Sequence, residues 1–188
     1  MTRTPERIAT ELLVLKAQSG DRAAFDGLVR IWGPILLRRC LRQLDQPADA
    51  QDAAQRVWVK AMRGIGRLKD PACFAAWLLR IGHLTCIDFI RRRRRTHVLH
   101  DELHQATQDD DDQTANQISP AAMDLRAAIK SLSASQQEVL ELHYTGGFSM
   151  GEVAHILGLA EGTVKSRLHT ARQILRTKLE TGENNDTT

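Results

Sequence analysis

With 188 residues, the chain can hold one ordinary domain or two small ones. Hydrophobic residues make up 42%, which excludes a wholly disordered chain; aromatics at 4%, beside abundant Leu, Ala and Arg, favour helix over sheet. Net charge is only +3 but uneven: residues 1–100 hold 19 Lys/Arg against 9 Asp/Glu, residues 101–118 hold 6 acids and no Lys/Arg, and residues 119–188 hold 7 against 8. That asymmetry points to a polyanionic partner for the first block and a separate role for the middle one.

No apolar run reaches the roughly 20 residues of a bilayer span. MTRTPERIATELL lacks the apolar core of a signal peptide, and its acids argue against a transit peptide. The expectation is a cytoplasmic protein with no membrane association. Cys40, Cys73 and Cys86 form no C-x-x-C pair and read as buried free thiols. His83 and Cys86 could begin a metal site, but no second pair completes it, so no metal and no cofactor are expected.

A first helix is expected over Glu6–Gln18. Asp21 can cap a second, in which Phe25, Val29, Trp32, Leu36 and Cys40 recur at steps of three and four. Pro47 ends that region, and a third helix fits Asp49–Arg63. Its core side is Ala50, Ala54, Val57, Trp58 and Ala61; Asp49, Asp52, Gln55, Arg56 and Val59 gather opposite. That mixed acidic, amide and apolar face suits either protein docking or plain solvation.

The loop GIGRLKD follows, and Asp70-Pro71 makes an N-cap and first-turn pair for a helix running toward Arg91–Arg95. In this helix Phe74, Trp77, Leu78, Ile81 and Thr85 cover one side, and Leu79, Cys86, Ile87 and Ile90 much of the other. A helix apolar nearly all round is buried between neighbours or docks on something. Five terminal arginines exceed what the helix dipole needs. They are either a solubilising run or a phosphate contact with strong salt dependence.

Residues 96–120, which include Asp109–Asp112, read as a flexible acidic linker, with or without a role of its own. The aspartates could chelate Mg²⁺, but a flexible acidic run is a poor catalytic site. Helical patterning resumes at Ala121. Ser133-x-x-Gln136 and Ser149-x-x-Glu152 have the form of capping boxes, opening helices through Tyr144 and to about Leu157. Gly146-Gly147 separates them. Gly158-Leu159 makes a turn, a last helix runs from about Glu161 to Leu179, and residues 181–188 should fray. The fold class expected is therefore all-α, two small helical domains joined by the linker.

A short helix, a Gly turn and a second helix is the helix-turn-helix layout. At about 100° per residue, Val164, Leu168, Ala171 and Leu175 share one face. Gly162, Ser166, His169, Thr170 and Gln173 point opposite. Lys165, Arg172 and Arg176 line one flank, and Thr163 and Arg167 the other. From Lys165 to Lys178 there are five Lys/Arg and no acid. Small polar groups between cationic edges suit a major groove, the edges reaching phosphates and the centre base edges. An ordinary helical hairpin with a solvated charged face would look similar.

In chain order, GDRAAFDGLVRIWGPILLRRC, DAQDAAQRVWVKA, FAAWLLRIGHLTCIDFIRRRRR and Leu132–Leu179 with EVAHILGLAEGTVKSRLHTAR resemble the extracytoplasmic-function group of sigma-70-type bacterial RNA polymerase sigma factors. The resemblance covers about four-fifths of the chain. It implies a sigma region 2 bundle over 1–95, the linker over 96–120, a region 4 helix-turn-helix domain over 121–180 and a disordered tail over 181–188. It implies docking on the β′ clamp coiled coil of core polymerase through Asp49, Asp52, Gln55, Arg56 and Val59, with region 4 on the β flap.

It further implies capture of the minus-10 strand, with a base taken out of the stack, by Arg67, Lys69, Trp77, Arg80, His83, Leu84, Asp88 and Arg91, Arg92, Arg93, Arg94 and Arg95. Minus-35 reading falls to Thr163, Lys165, Ser166, Arg167, His169, Thr170, Arg172, Gln173 and Arg176. The linker would thread the polymerase cleft. The free protein would be a monomer that no catalytic centre makes an enzyme, with an anti-sigma factor as a further partner. Three positions depart from the group's pattern: Leu84 where Asn is common, Thr170 where Arg is common, and Ala160 where a capping Ser is common.

Two other readings compete. A stand-alone helix-turn-helix regulator would bind a two-fold operator without polymerase, and has no need of the DAQDAAQRVW face. An enzyme acting on nucleic acid, such as a nuclease or recombinase, is the other, and no H-x-E/C-x-x-C set or P-loop in the sequence supports it.

Overall fold

The computed structural model of the protein describes residues 5–98 and 120–183. These form helices and short turns, with no strand among the described residues. The chain divides into two compact units, residues 1–108 and 109–188.

In the first unit, α1 (Pro5–Gln18) is followed by α2 (Arg22–Gln43), α3 (Pro47–Gly64) and α4 (Phe74–Val98). Asp21 caps α2 by accepting from the Ala24 N–H at 3.1 Å. Pro34 lies inside α2, yet the helix continues because Leu28 and Leu36, on either side of it, are fully buried. The small side chains Ala50, Ala53, Ala54 and Ala61 let α3 lie close against α2 and α4, with Val57 buried among them. Phe25 meets Trp58 edge-on at 5.8 Å, and Trp32 meets Phe74 at 6.4 Å.

By length and composition alone, Pro71–Arg94 is apolar enough to cross a membrane. This qualifies the expectation that no segment is. Phe74, Leu78, Leu79 and Cys86 are nonetheless buried in the bundle, so α4 packs one side into the core. It also passes the expected end at Arg95 by three residues, since arginine is a good helix former and no breaker follows.

Folding pairs two cysteines. Cys40 of α2 and Cys86 of α4 are both buried, and a hydrogen bond from Cys86 holds the Cys40 thiol below its ordinary range. The Arg39 charge acts in the same direction, and burial opposes both. Cys73 departs from the buried-thiol expectation. It lies exposed at the start of α4, 3.4 Å from Asp70 Oδ2.

The second unit contains α5 (Pro120–Lys130), α6 (Ala134–Leu140), α7 (Met150–Leu157) and α8 (Glu161–Glu183). Both capping boxes form. Gln136 N–H donates to Ser133 Oγ at 3.3 Å while Gln136 Oε1 accepts from Ser133 N–H at 2.9 Å. The corresponding Ser149–Glu152 distances are 3.2 and 2.8 Å.

The helix expected through Tyr144 widens into a π turn over Glu141–Thr145. Gly146 N–H reaches back to Glu141 O at 2.9 Å, and the His143 ring bonds Phe148 O at 2.9 Å. The last helix reaches Glu183, so residues 181–183 of the expected tail are helical. Most of the expected acidic linker, with Asp109–Asp112, lies outside the described residues, as do 184–188.

Candidate promoter and polymerase interface

In the second unit, α7 and α8 are joined by a turn in which Gly158 has φ 69°, the left-handed region that glycine enters without a Cβ clash. Gly158 and Leu159 both donate to Ala154 O, at 2.8 and 3.0 Å, closing the first helix. Ala160 then opens α8 by its carbonyl alone, which accepts from Thr163 and Val164 at 2.9 and 3.2 Å. An alanine offers no side-chain oxygen for the remaining donors.

Val164, Leu168 and Ala171 face inward and are buried, as the wheel expects. Lys165, Ser166, His169, Thr170, Arg172, Gln173 and Arg176 are exposed on the outer side, with Thr163 and Arg167 half-buried at its edge. The hydroxyls of Ser166 and Thr170 donate back to Thr163 O and Ser166 O at 3.0 and 3.1 Å, which leaves their oxygens as outward acceptors.

Two residues absent from the wheel join this face. Tyr144 lies under Arg172, whose guanidinium carbon is 5.8 Å from the ring centroid. Met150, at the start of α7, borders an open concavity of about 410 Å³ along Gly162, Ser166, His169 and Arg172. Both come from other elements and have no periodic relation to α8.

In the first unit, the turn Ile65–Arg67 and the stretch to Asp70 lead into α4. Arg67 and Lys69 are exposed there. The Trp77 ring sits against Gly64, where a Cβ would stand 3.0 Å from the ring's Cζ2. Asp70 accepts from Ala72 N–H at 2.9 Å, capping the turn Pro71–Cys73 before α4 rather than α4 itself.

Along α4, Trp77, Arg80, Leu84, Asp88 and Arg91 recur at helical steps. Leu84, Asp88 and Arg91 are exposed, and Trp77 and Arg80 half-buried. Half-buried His83 lies 3.5 Å from the Gln43 amide, with exposed Arg94 on its flank and exposed Arg92 on the other. Arg95 belongs to the same helix.

The five arginines do not form one surface. Arg93 points to α3, with Nη1 3.6 Å from Asp45 and 3.9 Å from Asp49. The acidic face of α3 thus lies beside the basic end of α4. On that face Asp52 takes a bidentate bond from Arg56 at 2.8 and 3.2 Å, and Gln55 and Val59 are exposed.

Sequence reasoning also missed Gln18 at the end of α1. Its Nε2 donates to Ile65 O at 2.9 Å and Leu68 O at 2.7 Å. No local pattern links positions so far apart in the chain.

A helix-turn-helix with a cationic outer face in one unit, and a basic helix beside an acidic helix face in the other, have the form of a DNA-binding helical protein of two units. Residues 28–96 match the family model for sigma-70 region 2, and residues 122–175 that for sigma-70 region 4. The chain is 36% identical over 169 residues to the ECF RNA polymerase sigma factor SigM of Mycobacterium tuberculosis, covering 89% of this chain and 82% of that one. It is 31% identical over 186 residues to SigL of the same species, covering 96% and 97%.

A solved structure of the sigma factor RpoE with the anti-sigma factor NepR, from Bartonella quintana, superposes with a TM-score of 0.65 at 26% identity, over 83% of this chain and 96% of that one. The chain belongs to the extracytoplasmic-function sigma factors of RNA polymerase. It is a promoter-directed transcription initiation factor.

Proposed function

We propose that the first unit docks on the β′ clamp coiled coil of bacterial core polymerase through Asp49, Asp52, Gln55, Arg56 and Val59. Its loop Gly64–Lys69, with the Trp77–Arg91 stripe, captures the single-stranded minus-10 element. The second unit reads the minus-35 major groove through the outer face of α8 and contacts the β flap. The domain limits 1–95, 96–120 and 121–180 belong to this reading.

The observation that carries it is the placement of chemistry. The exposed cations and small polar groups of α8 lie together on one face, with Val164, Leu168 and Ala171 buried on the other. Such a face positions itself by phosphate contacts and reads by the groups between them. The base-capture role is supported by the aromatic ring of Trp77 against the loop, with Arg67 and Lys69 exposed beside it.

In this reading the protein supplies binding energy and strand capture but no covalent chemistry, and it acts in the cytoplasm with polymerase. It is a monomer when free. The RpoE relative was solved with an anti-sigma factor, which supports a partner of that kind here.

The test is permanganate footprinting of holoenzyme on the promoter upstream of the protein's own gene. Reactive thymines near minus 10 are expected with wild type. They should be lost with Arg67→Ala/Lys69→Ala while core binding persists. Unchanged reactivity in that variant would contradict the role given to the loop.

A further inference from the structure

The loop expected to capture the minus-10 strand is gripped by one distant amide. Gln18 ends α1, and its Nε2 donates to Ile65 O at 2.9 Å and to Leu68 O at 2.7 Å. Ile65 O also accepts from Leu68 N–H at 3.1 Å, so the Gln18 amide grips the turn at both ends. Ile65 itself is buried, while Gly66, Arg67 and Lys69 face solvent. Trp77 walls one side of the loop at Gly64, and the capped turn at Asp70 closes the other.

Two donors on one rigid planar group fix both the position and the rotation of the turn. They therefore fix where Arg67 projects. A loop that must accept an extruded base gains from such preorganisation, because ordering it at the moment of capture would subtract from the binding energy.

We propose that Gln18 is a positioning residue for promoter opening: its amide sets the Ile65–Leu68 turn in the geometry that receives the minus-10 base. This rests on the strand-capture reading above. Gln18 does not touch DNA in this account; it acts through the two carbonyls.

The isosteric change Gln18→Glu gives the sharpest test, because it keeps shape and removes both N–H donors while placing a carboxylate against two carbonyl oxygens. Holoenzyme would be mixed with the promoter carrying 2-aminopurine at each minus-10 position in turn. Fluorescence reports base extrusion. Gln18→Glu is expected to slow extrusion by at least roughly tenfold, from two lost hydrogen bonds and added repulsion. Affinity for core, and binding of the closed minus-35 duplex, should stay within about twofold. Gln18→Arg, which restores forked donors, should recover most of the extrusion rate.

A wild-type extrusion rate in Gln18→Glu would overturn the proposal. Equal losses of core affinity and extrusion would also overturn it, by showing a merely structural role. Absence of any extrusion with wild-type protein would sink the strand-capture reading itself, and the proposal with it.

Discussion

The guanidinium carbon of Arg56 on α3 lies 4.8 Å from the ring centroid of Phe89 on α4, while both oxygens of Asp52 hold the same guanidinium from the preceding turn. One side chain thus joins the face expected to dock on polymerase to the helix expected to hold the open strand. An exposed i,i+4 pair contributes little to folding, roughly 0.3–0.5 kcal/mol. Its arrangement of charge matters more for a partner.

Asp52→Arg should therefore leave stability within about 1 kcal/mol of wild type and weaken core affinity by at least tenfold. Phe89→Leu, which keeps an apolar side chain but removes the cation–π contact, should weaken core affinity less. Equilibrium urea unfolding and binding titrations against core polymerase separate the two effects. A stability loss that accounts for the whole affinity loss would refute the docking role of this face.

Ala160 gives α8 no side-chain acceptor at its N-terminus. Ala160→Ser should supply a side-chain acceptor and stabilise the second unit by about 1 kcal/mol. That corresponds to a rise of roughly 4–8 °C in its melting temperature. Calorimetry on the full chain would show it as a shift of one transition. No shift would mean that the first-turn donors of α8 are already satisfied.

Much of the second unit was legible from local rules. Ser133, Gln136, Ser149 and Glu152 announce two helix starts by chemistry contained within four residues, and Gly158 announces the turn by its conformational freedom. The wheel of α8 was equally readable, because one buried face imposes a strict period. Contacts between elements were not. The grip of Gln18 on the loop, the pairing of Arg93 with Asp45 and Asp49, and the meeting of Cys40 with Cys86 all depend on tertiary packing. The π turn at Glu141–Thr145 escaped for a related reason: it is set by bonds to Gly146 and Phe148 beyond the helix end.

The arginines at the end of α4 should differ in their contribution. Arg91 and Arg94 are exposed, whereas Arg93 is drawn toward α3. Replacing Arg91 and Arg94 together by Gln should flatten the dependence of holoenzyme affinity on salt. The expected loss in slope is about 1.4, near 0.7 for each single-strand phosphate contact. Titrations on a pre-melted bubble template at several salt concentrations measure it. An unchanged slope would assign both residues to solvation only.

Thiol reactivity tests the packing of the first unit. Cys73 is exposed while Cys40 and Cys86 are buried. Under native conditions a disulfide reagent should titrate Cys73 rapidly, and Cys40 and Cys86 only after unfolding. The Cys73→Ser variant should abolish the fast phase. Rapid reaction of a second thiol in the native protein would show that the α2–α4 interface opens readily.

The most direct test of the whole account is to mix the purified protein with sigma-free bacterial core polymerase, then combine gel filtration with run-off transcription from the promoter upstream of its gene. Co-elution with core and a new specific transcript are expected, with both diminished by Asp52→Arg. Failure to associate with core, together with a specific shift of duplex promoter DNA by the free protein, would contradict it and leave a stand-alone regulator in its place.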